Sequence, residues 1–162
     1  VIMAPVSRTS QLSLGNSNVE TTILSMTAKA AALTAGATFR FRIAGSYRND
    51  NTSGTMTIRV YIGANAAAQT YTIPSQTTSA TNKDFYFESE AVIRTSSASG
   101  TYIAGNNGLS TVAGWYSGGS TATGTSVVDC TADQTVKVTA QWASALSLNI
   151  LLIETATIQQ LI

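Results

Sequence analysis

The stretch KVTAQWASALSLNILLIET, residues 137–155, holds the densest apolar run of the chain and decides its fold class. Its first part alternates, with Val138, Ala140 and Trp142 on one face, which is the period of a β-strand. Its second part, 150–153, is apolar without interruption, as in strands that are buried on both faces. The stretch therefore predicts the last two strands of a β-sheet protein, and it predicts that a neighbouring subunit covers the second face of the apolar run.

The same alternation recurs along the rest of the chain. The segments FRFRIAGSYR (39–48) and TMTIRVYIG (55–63) each place apolar residues on one face, and their succession predicts a hairpin. The segment GNNG (105–108) predicts a turn between two strands, and KAAALTAG predicts a short turn or helix. Further strand-like segments are TSQLSL, ETTILSMTA, QTYTIP, DFYFESEAVIRT, TYIAG, LSTVAGWY and TSVVDC.

About nine or ten short strands without long helices predict an all-β fold. The spacing favours an antiparallel β-sandwich that is jelly-roll-like, with an extended N-terminal arm. We assign the arm to residues 1–19 and the β-sandwich domain to residues 20–162.

Composition narrows the function classes. Nine basic and eight acidic residues give a net charge of +1, so no field attracts nucleic acid. Only 10% of the residues are charged, against about 25% in ordinary domains, which favours an assembly that covers part of the surface. No stretch reaches the roughly 18 apolar residues of a membrane helix, so we expect no membrane insertion. The single Cys130 has no intrachain disulfide partner and is expected to be a small buried hydrophobe.

The chain has no histidine, which removes Ser-His-Asp triads and histidine metal sites. Glu88 and Glu90 lie about 7 Å apart on one strand face, a spacing at which glycosidase carboxylates work. Cross-strand ion pairs with Arg40, Arg42 or Arg59 are the commoner outcome for such carboxylates. We therefore expect no enzyme activity, no catalytic residue and no cofactor.

Two oxygen-rich turns raise the question of a calcium site. One comprises Asn49, Asp50 and Asn51, and the other contains Asp129 and Asp133. Neither has the spacing of an EF-hand loop, and Asn and Asp are the usual turn formers. We expect turns and no metal.

Trp115 and Tyr116, beside a glycine-rich loop, are the aromatic residues that a ligand or partner would contact first. Three roles are open for them: packing against the sandwich, anchoring a protein interface or stacking on a sugar. Tyr102 joins them in the alternative that binds a receptor or sugar. Trp142 alternates with core positions and is expected in the core.

Both chain ends carry apolar residues, which either dock on neighbouring subunits or close the sandwich. The residues expected at such an interface are Val1, Ile2, Met3, Pro5, Ile158, Leu161 and Ile162.

The segment VTAQW, a short Ala/Ser turn and SLNILLIE resemble the C-terminal pattern of small virion structural proteins of tailed bacteriophages. The glycine that usually follows the tryptophan in that family is Ala143 here. The segment LTAGATFRFRIAGSYRNDNTSGTMTIRVYIG (33–63) is similar to a second stretch of the same family. The resemblance implies a jelly-roll-like, usually trimeric virion component and carries no catalytic residue.

Together these features predict a homotrimeric structural protein of the virion, made in the host cytoplasm. The expected role is that of a capsid decoration (cement) or head-fibre protein that contacts the major capsid protein or other virion subunits. The alternative is a tail-fibre or tail-tip domain that binds a receptor or a host-surface glycan through Trp115, Tyr116 and Tyr102.

Overall fold

The computed structural model describes residues 2–15, 17–48, 56–65, 71–73, 82–111, 114–116, 125–146 and 149–162, and of 71–73, 105–111 and 114–116 it describes the backbone alone. Apart from one 3-10 turn, Ala30–Ala32, the regular structure of these residues is β-strand. The strands are β1 (Val6–Arg8), β2 (Leu12–Gly15), β3 (Thr21–Ala28), β4 (Thr38–Arg48), β5 (Met56–Ile62), β6 (Tyr71–Ile73), β7 (Lys83–Thr95), β8 (Gly100–Thr111), β9 (Gly114–Tyr116), β10 (Ser126–Val128), β11 (Gln134–Trp142) and β12 (Ile150–Gln160).

The strands form two antiparallel sheets, as the sequence predicted. The large sheet has eight strands in the order β1-β12-β4-β7-β8-β10, with β2 also on β12 and β9 also on β8. The small sheet has four strands in the order β3-β11-β5-β6. The chain is therefore an all-β sandwich.

The pairings are nested in sequence, which gives the sandwich its jelly-roll topology. The inner pair is β5 with β6, followed outward by β4 with β7, β3 with β11, and β2 with β12. Successive pairs alternate between the two sheets, as when one long hairpin is rolled up. Strands β8, β9 and β10 extend the large sheet beyond β7.

Two local predictions were wrong. The strands β4 and β5 do not form a hairpin, because β4 lies in the large sheet and β5 in the small one. Alternation identifies a strand with one buried face, but it does not identify the partner. The segment 105–108 is not a turn either: β8 continues through it, and its register on β7 shifts so that the Gly/Asn residues form a β-bulge.

The core lies between the two sheets and follows the predicted alternation. Trp142 is 2% exposed, and the predicted inward residues of β4, β5 and β7 are all buried. Cys130 is buried as expected. The fully buried apolar side chains include Ile23, Phe39, Phe41, Ile43, Met56, Ile58, Ile62, Phe87, Val136, Val138, Leu151, Ile153 and Ile158.

The apolar run of β12 alternates in space although it does not alternate in sequence. Leu151 and Ile153 point into the core, whereas Ile150 and Leu152 lie half-buried on the outer face of the large sheet. The second face is thus only partly covered within the chain. After Ile153 the register shifts at a bulge, which keeps Ile158 on the core side.

Gly45 permits this bulge. A Cβ atom at Gly45 would lie 2.0 Å from the carbonyl oxygen of Leu152 and 3.2 Å from the amide nitrogen of Glu154. The backbones of β4 and β12 therefore approach each other too closely here for any other residue.

Candidate functional site

Strands β1 and β2, which precede β3, are part of the large sheet. Strands β1 and β2 pair in turn with the two halves of β12, and Met3 and Val6 pack against the core. The side chain of Arg8 donates to the carbonyl oxygen of Ile23 on β3 at 3.0 Å. This segment therefore joins the edges of the two sheets.

The two ends of the chain lie side by side. The Met3 amide donates to Oε1 of Gln160 at 3.0 Å, and the Gln160 side chain in turn donates to the Ala32 carbonyl at 3.0 Å. Ile2 and Ile162 remain 68% and 78% exposed. An apolar patch results, and we call it the terminal patch; it comprises Ile2, Met3, Pro5, Leu161 and Ile162.

Of the interface residues predicted from sequence, Ile158 does not belong to the terminal patch. Its side chain is 0% exposed because the bulge of β12 turns it into the core. It has no surface to offer a neighbouring subunit, and its apolar character is explained by packing alone. Val1 lies outside the described residues.

Of the aromatic ligand-contact set predicted from sequence, the structure describes the side chain of Tyr102 alone. Tyr102 is 0% exposed, and its hydroxyl donates to the Asn65 carbonyl at 2.7 Å. Its ring is a core element that supports the loop after β5, so it is not accessible to a sugar or receptor. The side chains of Trp115 and Tyr116 lie outside the described part of the chain.

Glu88 and Glu90 form the cross-strand ion pairs that the sequence predicted. On the outer face of the large sheet, Arg40 contacts Glu90 at 2.6 Å and Arg42 contacts Glu88 at 3.0 Å. Burial tends to raise the pKa of Glu88, but hydrogen bonds from Tyr86 and Arg42 outweigh it and hold that pKa below its usual value. The arrangement is a ladder of paired charges, each worth about 0.2–1 kcal/mol.

The acidic turn at 129–133 is also structural. Asp129 accepts from the amide and the hydroxyl of Thr131, and Asp133 binds Lys29 at 2.8 Å. Asp129 is therefore a turn former, as predicted, whereas Asp133 ties the turn to another segment by also accepting from the amide of Ala30. Within the described ranges, no group of three or more metal-ligating side chains lies together. The predicted turn at Asn49 to Asn51 lies outside those ranges.

A polar network on the outer face of the small sheet was not predicted. The carboxylate of Glu20 accepts from the hydroxyls of Tyr61 at 2.5 Å and Thr139 at 2.6 Å, and it lies 3.5 Å from Nη1 of Arg59. Lys137 lies over the Tyr61 ring, 4.5 Å from its centroid. We call these five residues the Glu20 network.

The Glu20 network is held together by its charges and hydrogen bonds. Burial tends to raise the pKa of Glu20, but the hydrogen bonds from Thr139 and Tyr61 and the charge of Arg59 hold it below its usual value. Burial, followed by the hydrogen bond to Glu20, raises the pKa of Tyr61 to about 12. The network therefore contains an ionised carboxylate and a neutral phenol at neutral pH.

The sequence held only part of the signal for this network. Arg59 and Lys137 occupy outward positions of recognisable strands, and register places Tyr61 opposite Lys137 and Arg59 opposite Thr139. Glu20 precedes β3 and crosses β11 to reach β5. That crossing depends on sheet order, which alternation does not encode.

Two cavities adjoin the network at the end of the small sheet. One, of about 230 Å³, lies between β2 and the start of β3 and is lined by side chains that include Leu14, Met56 and Trp142. The other, of about 240 Å³, opens on the outer face and is lined by Asn18, Thr57, Arg59, Gln141, Trp142 and Ala143. The segment at Asn18 lies between them, since Ser17 and Val19 line the first cavity and Asn18 lines the second. The Asn18 carbonyl accepts from the Gln141 side chain at 2.9 Å.

Comparisons with known proteins give no relative for this arrangement. No protein-family model, no curated protein and no solved structure matches the chain. In the part of the chain that the structure describes, no helix has the length and apolar character needed to cross a membrane.

Proposed function

We propose that the chain is a structural protein of a tailed-bacteriophage virion, a homotrimeric capsid decoration (cement) or head-fibre protein. Its role would be adhesive: it would stabilise the particle by binding the major capsid protein or other virion subunits. The proposal involves neither catalysis nor nucleic acid.

One observation carries the proposal. The two segments that resemble phage virion proteins, 33–63 and 137–154, are far apart in sequence but pair with each other in both sheets. The first contributes β4 and β5, and the second contributes most of β11 and the start of β12; β4 pairs with β12 and β5 pairs with β11. The resemblance therefore covers one contiguous unit at the centre of the sandwich rather than two unrelated strands.

The surface supplies contacts of the kind that adhesion needs. The terminal patch exposes apolar side chains, and Ile150 and Leu152 lie half-buried on the outer face of the large sheet. Apolar area contributes about 25 cal/mol per Å² on burial before association costs are subtracted. A trimer binds more tightly than one subunit, because once one subunit is bound the other two are held at a high effective concentration near the capsid. Within the trimer, each subunit uses two different surface patches, one for each neighbour.

Mass and capsid binding test the proposal directly. We expect light scattering to give the mass of a trimer and co-sedimentation to give saturable binding to capsids. A stable monomer that ignores capsids would refute both parts.

Point substitutions test the terminal patch better than truncation, because residues before β2 belong to the large sheet. We expect the double variant Ile2→Asp, Ile162→Asp to keep its circular dichroism spectrum and to lose capsid binding by at least about tenfold. The matched control is Val127→Asp, since Val127 is also exposed, at 52%, but lies on β10. Equal losses in both variants, or no loss in the double variant, would contradict the role of the terminal patch.

A further inference from the structure

The cavity of about 240 Å³ on the outer face of the small sheet has the side chains of a binding site. Thr57 and Gln141 are cross-strand partners, and Arg59 follows two residues after Thr57 on the same face. Asn18 closes the cavity from the segment before β3. Four polar side chains from three parts of the chain therefore converge on one small cavity.

Arg59 is held in place by contacts through a single nitrogen. Its Nη1 donates to Oε1 of Gln141 at 2.8 Å and lies 3.5 Å from Oε2 of Glu20. Among the described residues both contacts run through Nη1, and the edge formed by Nε and Nη2 makes none. A ligand would be held through this edge. A planar guanidinium that presents two parallel donors matches the paired oxygens of an anion such as a carboxylate or a phosphate.

The charge around the cavity favours an anion. The Glu20 network holds one carboxylate, and Arg59 and Lys137 bring two positive charges, so the local balance is positive. The remaining lining groups, the amides of Asn18 and Gln141 and the hydroxyl of Thr57, both donate and accept hydrogen bonds. They suit a ligand with several hydroxyl groups.

The size of the cavity limits the ligand. At about 240 Å³ it is smaller than the sites of drug-sized molecules, so it suits one compact unit. Its lining also includes Ala143 and Trp142, whose ring is buried in the core. A single sugar ring that bears a carboxylate has the required size, charge and hydroxyl groups.

We propose that this cavity binds an acidic sugar, a hexuronic or sialic acid unit, with Arg59 on the carboxylate and Thr57, Asn18 and Gln141 on the hydroxyl groups. The site goes beyond the adhesive role proposed above and does not depend on it.

Titration calorimetry with defined sugars tests the site in the full chain. The probes are galacturonate and N-acetylneuraminate, with galactose as the neutral sugar and glutamate as a carboxylate without a sugar ring. We expect at least one acidic sugar to bind, and galactose and glutamate to bind at least about tenfold more weakly. Absence of binding by both acidic sugars at millimolar concentration would overturn the proposal. Equal binding of galactose would overturn the role of the carboxylate, and equal binding of glutamate would overturn the assignment to a sugar.

Matched variants locate the site. Arg59→Gln should weaken acidic-sugar binding by about tenfold or more, and Thr57→Val should weaken it by a smaller factor. The control is Arg40→Gln, because Arg40 is similarly exposed and ion-paired but lies on the large sheet. Binding that survives in Arg59→Gln, or that falls equally in Arg40→Gln, would place the sugar elsewhere and refute the site. Circular dichroism confirms that each variant is folded before its binding is compared.

Discussion

Replacing Gly45 with alanine tests the closest approach of the two backbones at the centre of the large sheet. The added Cβ would lie 2.0 Å from the Leu152 carbonyl oxygen, whereas an ordinary carbon–oxygen contact needs more than about 3 Å. The obstacle is a main-chain atom of a paired strand, so no side-chain rotation relieves it. Either β4 or β12 must move by about 1 Å.

The cost follows from that movement. Overpacking of this kind costs about 1–3 kcal/mol, and each ladder hydrogen bond that is lost adds about 1 kcal/mol. The lower entropy of the unfolded alanine chain returns only about 0.4–1 kcal/mol. With one ladder hydrogen bond lost, we therefore expect Gly45→Ala to lower the free energy of unfolding by about 2 kcal/mol, out of the roughly 5–15 kcal/mol that a domain has.

Gly36 is the matched control. Its φ of 89° disfavours alanine, but a Cβ there would meet nothing within 4 Å. Gly36→Ala should therefore cost only about 1 kcal/mol, from backbone strain alone. Urea unfolding followed by tryptophan fluorescence measures both variants. A Gly45→Ala protein within 1 kcal/mol of the wild type, or more stable than Gly36→Ala, would refute the steric reasoning.

Three further perturbations separate packing from surface chemistry. The pKa of Tyr61 is raised to about 12, so the stability that its neutral phenol contributes is complete below pH 10 and is lost as pH rises through 12. Urea unfolding should show a loss of about 2–3 kcal/mol over this range that is absent in Tyr61→Phe. Identical pH profiles of the two proteins would contradict the raised pKa of Tyr61. Ile158→Ala should cost about 2–5 kcal/mol in thermal or urea unfolding and Ile162→Ala almost nothing, whereas equal costs would contradict their opposite burial. Burial raises the pKa of Cys130, so its thiol should react with a disulfide reagent much more slowly in native protein than in urea, and equal rates would show an accessible thiol.

The sequence predicted the strands of this fold better than it predicted which strands pair with each other. Strands with one buried face, such as β4, β5 and β7, follow from alternation, because every second side chain of such a strand points into the core. The partner of each strand does not follow from alternation, so β4 and β5 were wrongly joined as a hairpin. Glycine and asparagine at 105–108 predicted a turn, but the same freedom of the backbone also serves a bulge within a long strand.

The candidate sites were predicted less well, for a related reason. The ion pairs of Glu88 and Glu90 lie between adjacent strands of the same sheet, and outward position alone was enough to predict them. The Glu20 network instead needs a residue before β3 to cross β11 and reach Arg59. The burial of Tyr102 needs the loop after β5 to fold over the large sheet. Both depend on which strands and loops are neighbours in the folded protein, and the alternation pattern of this sequence does not show that.

The N-terminal segment contributes both to the stability of the sandwich and to the surface proposed for adhesion. Strand β1 pairs with β12 over three residues, from Ala156 to Ile158, and Arg8 donates to a carbonyl on the edge of the small sheet, so the segment closes the sandwich. The same segment holds Ile2 beside Ile162 in the terminal patch. Removing residues 1–10 would therefore open a sheet edge and also remove Ile2, Met3 and Pro5 from the patch, so a loss of capsid binding in that variant would have two causes. Substitution of exposed side chains alone separates them, because it leaves the pairing of β1 with β12 intact.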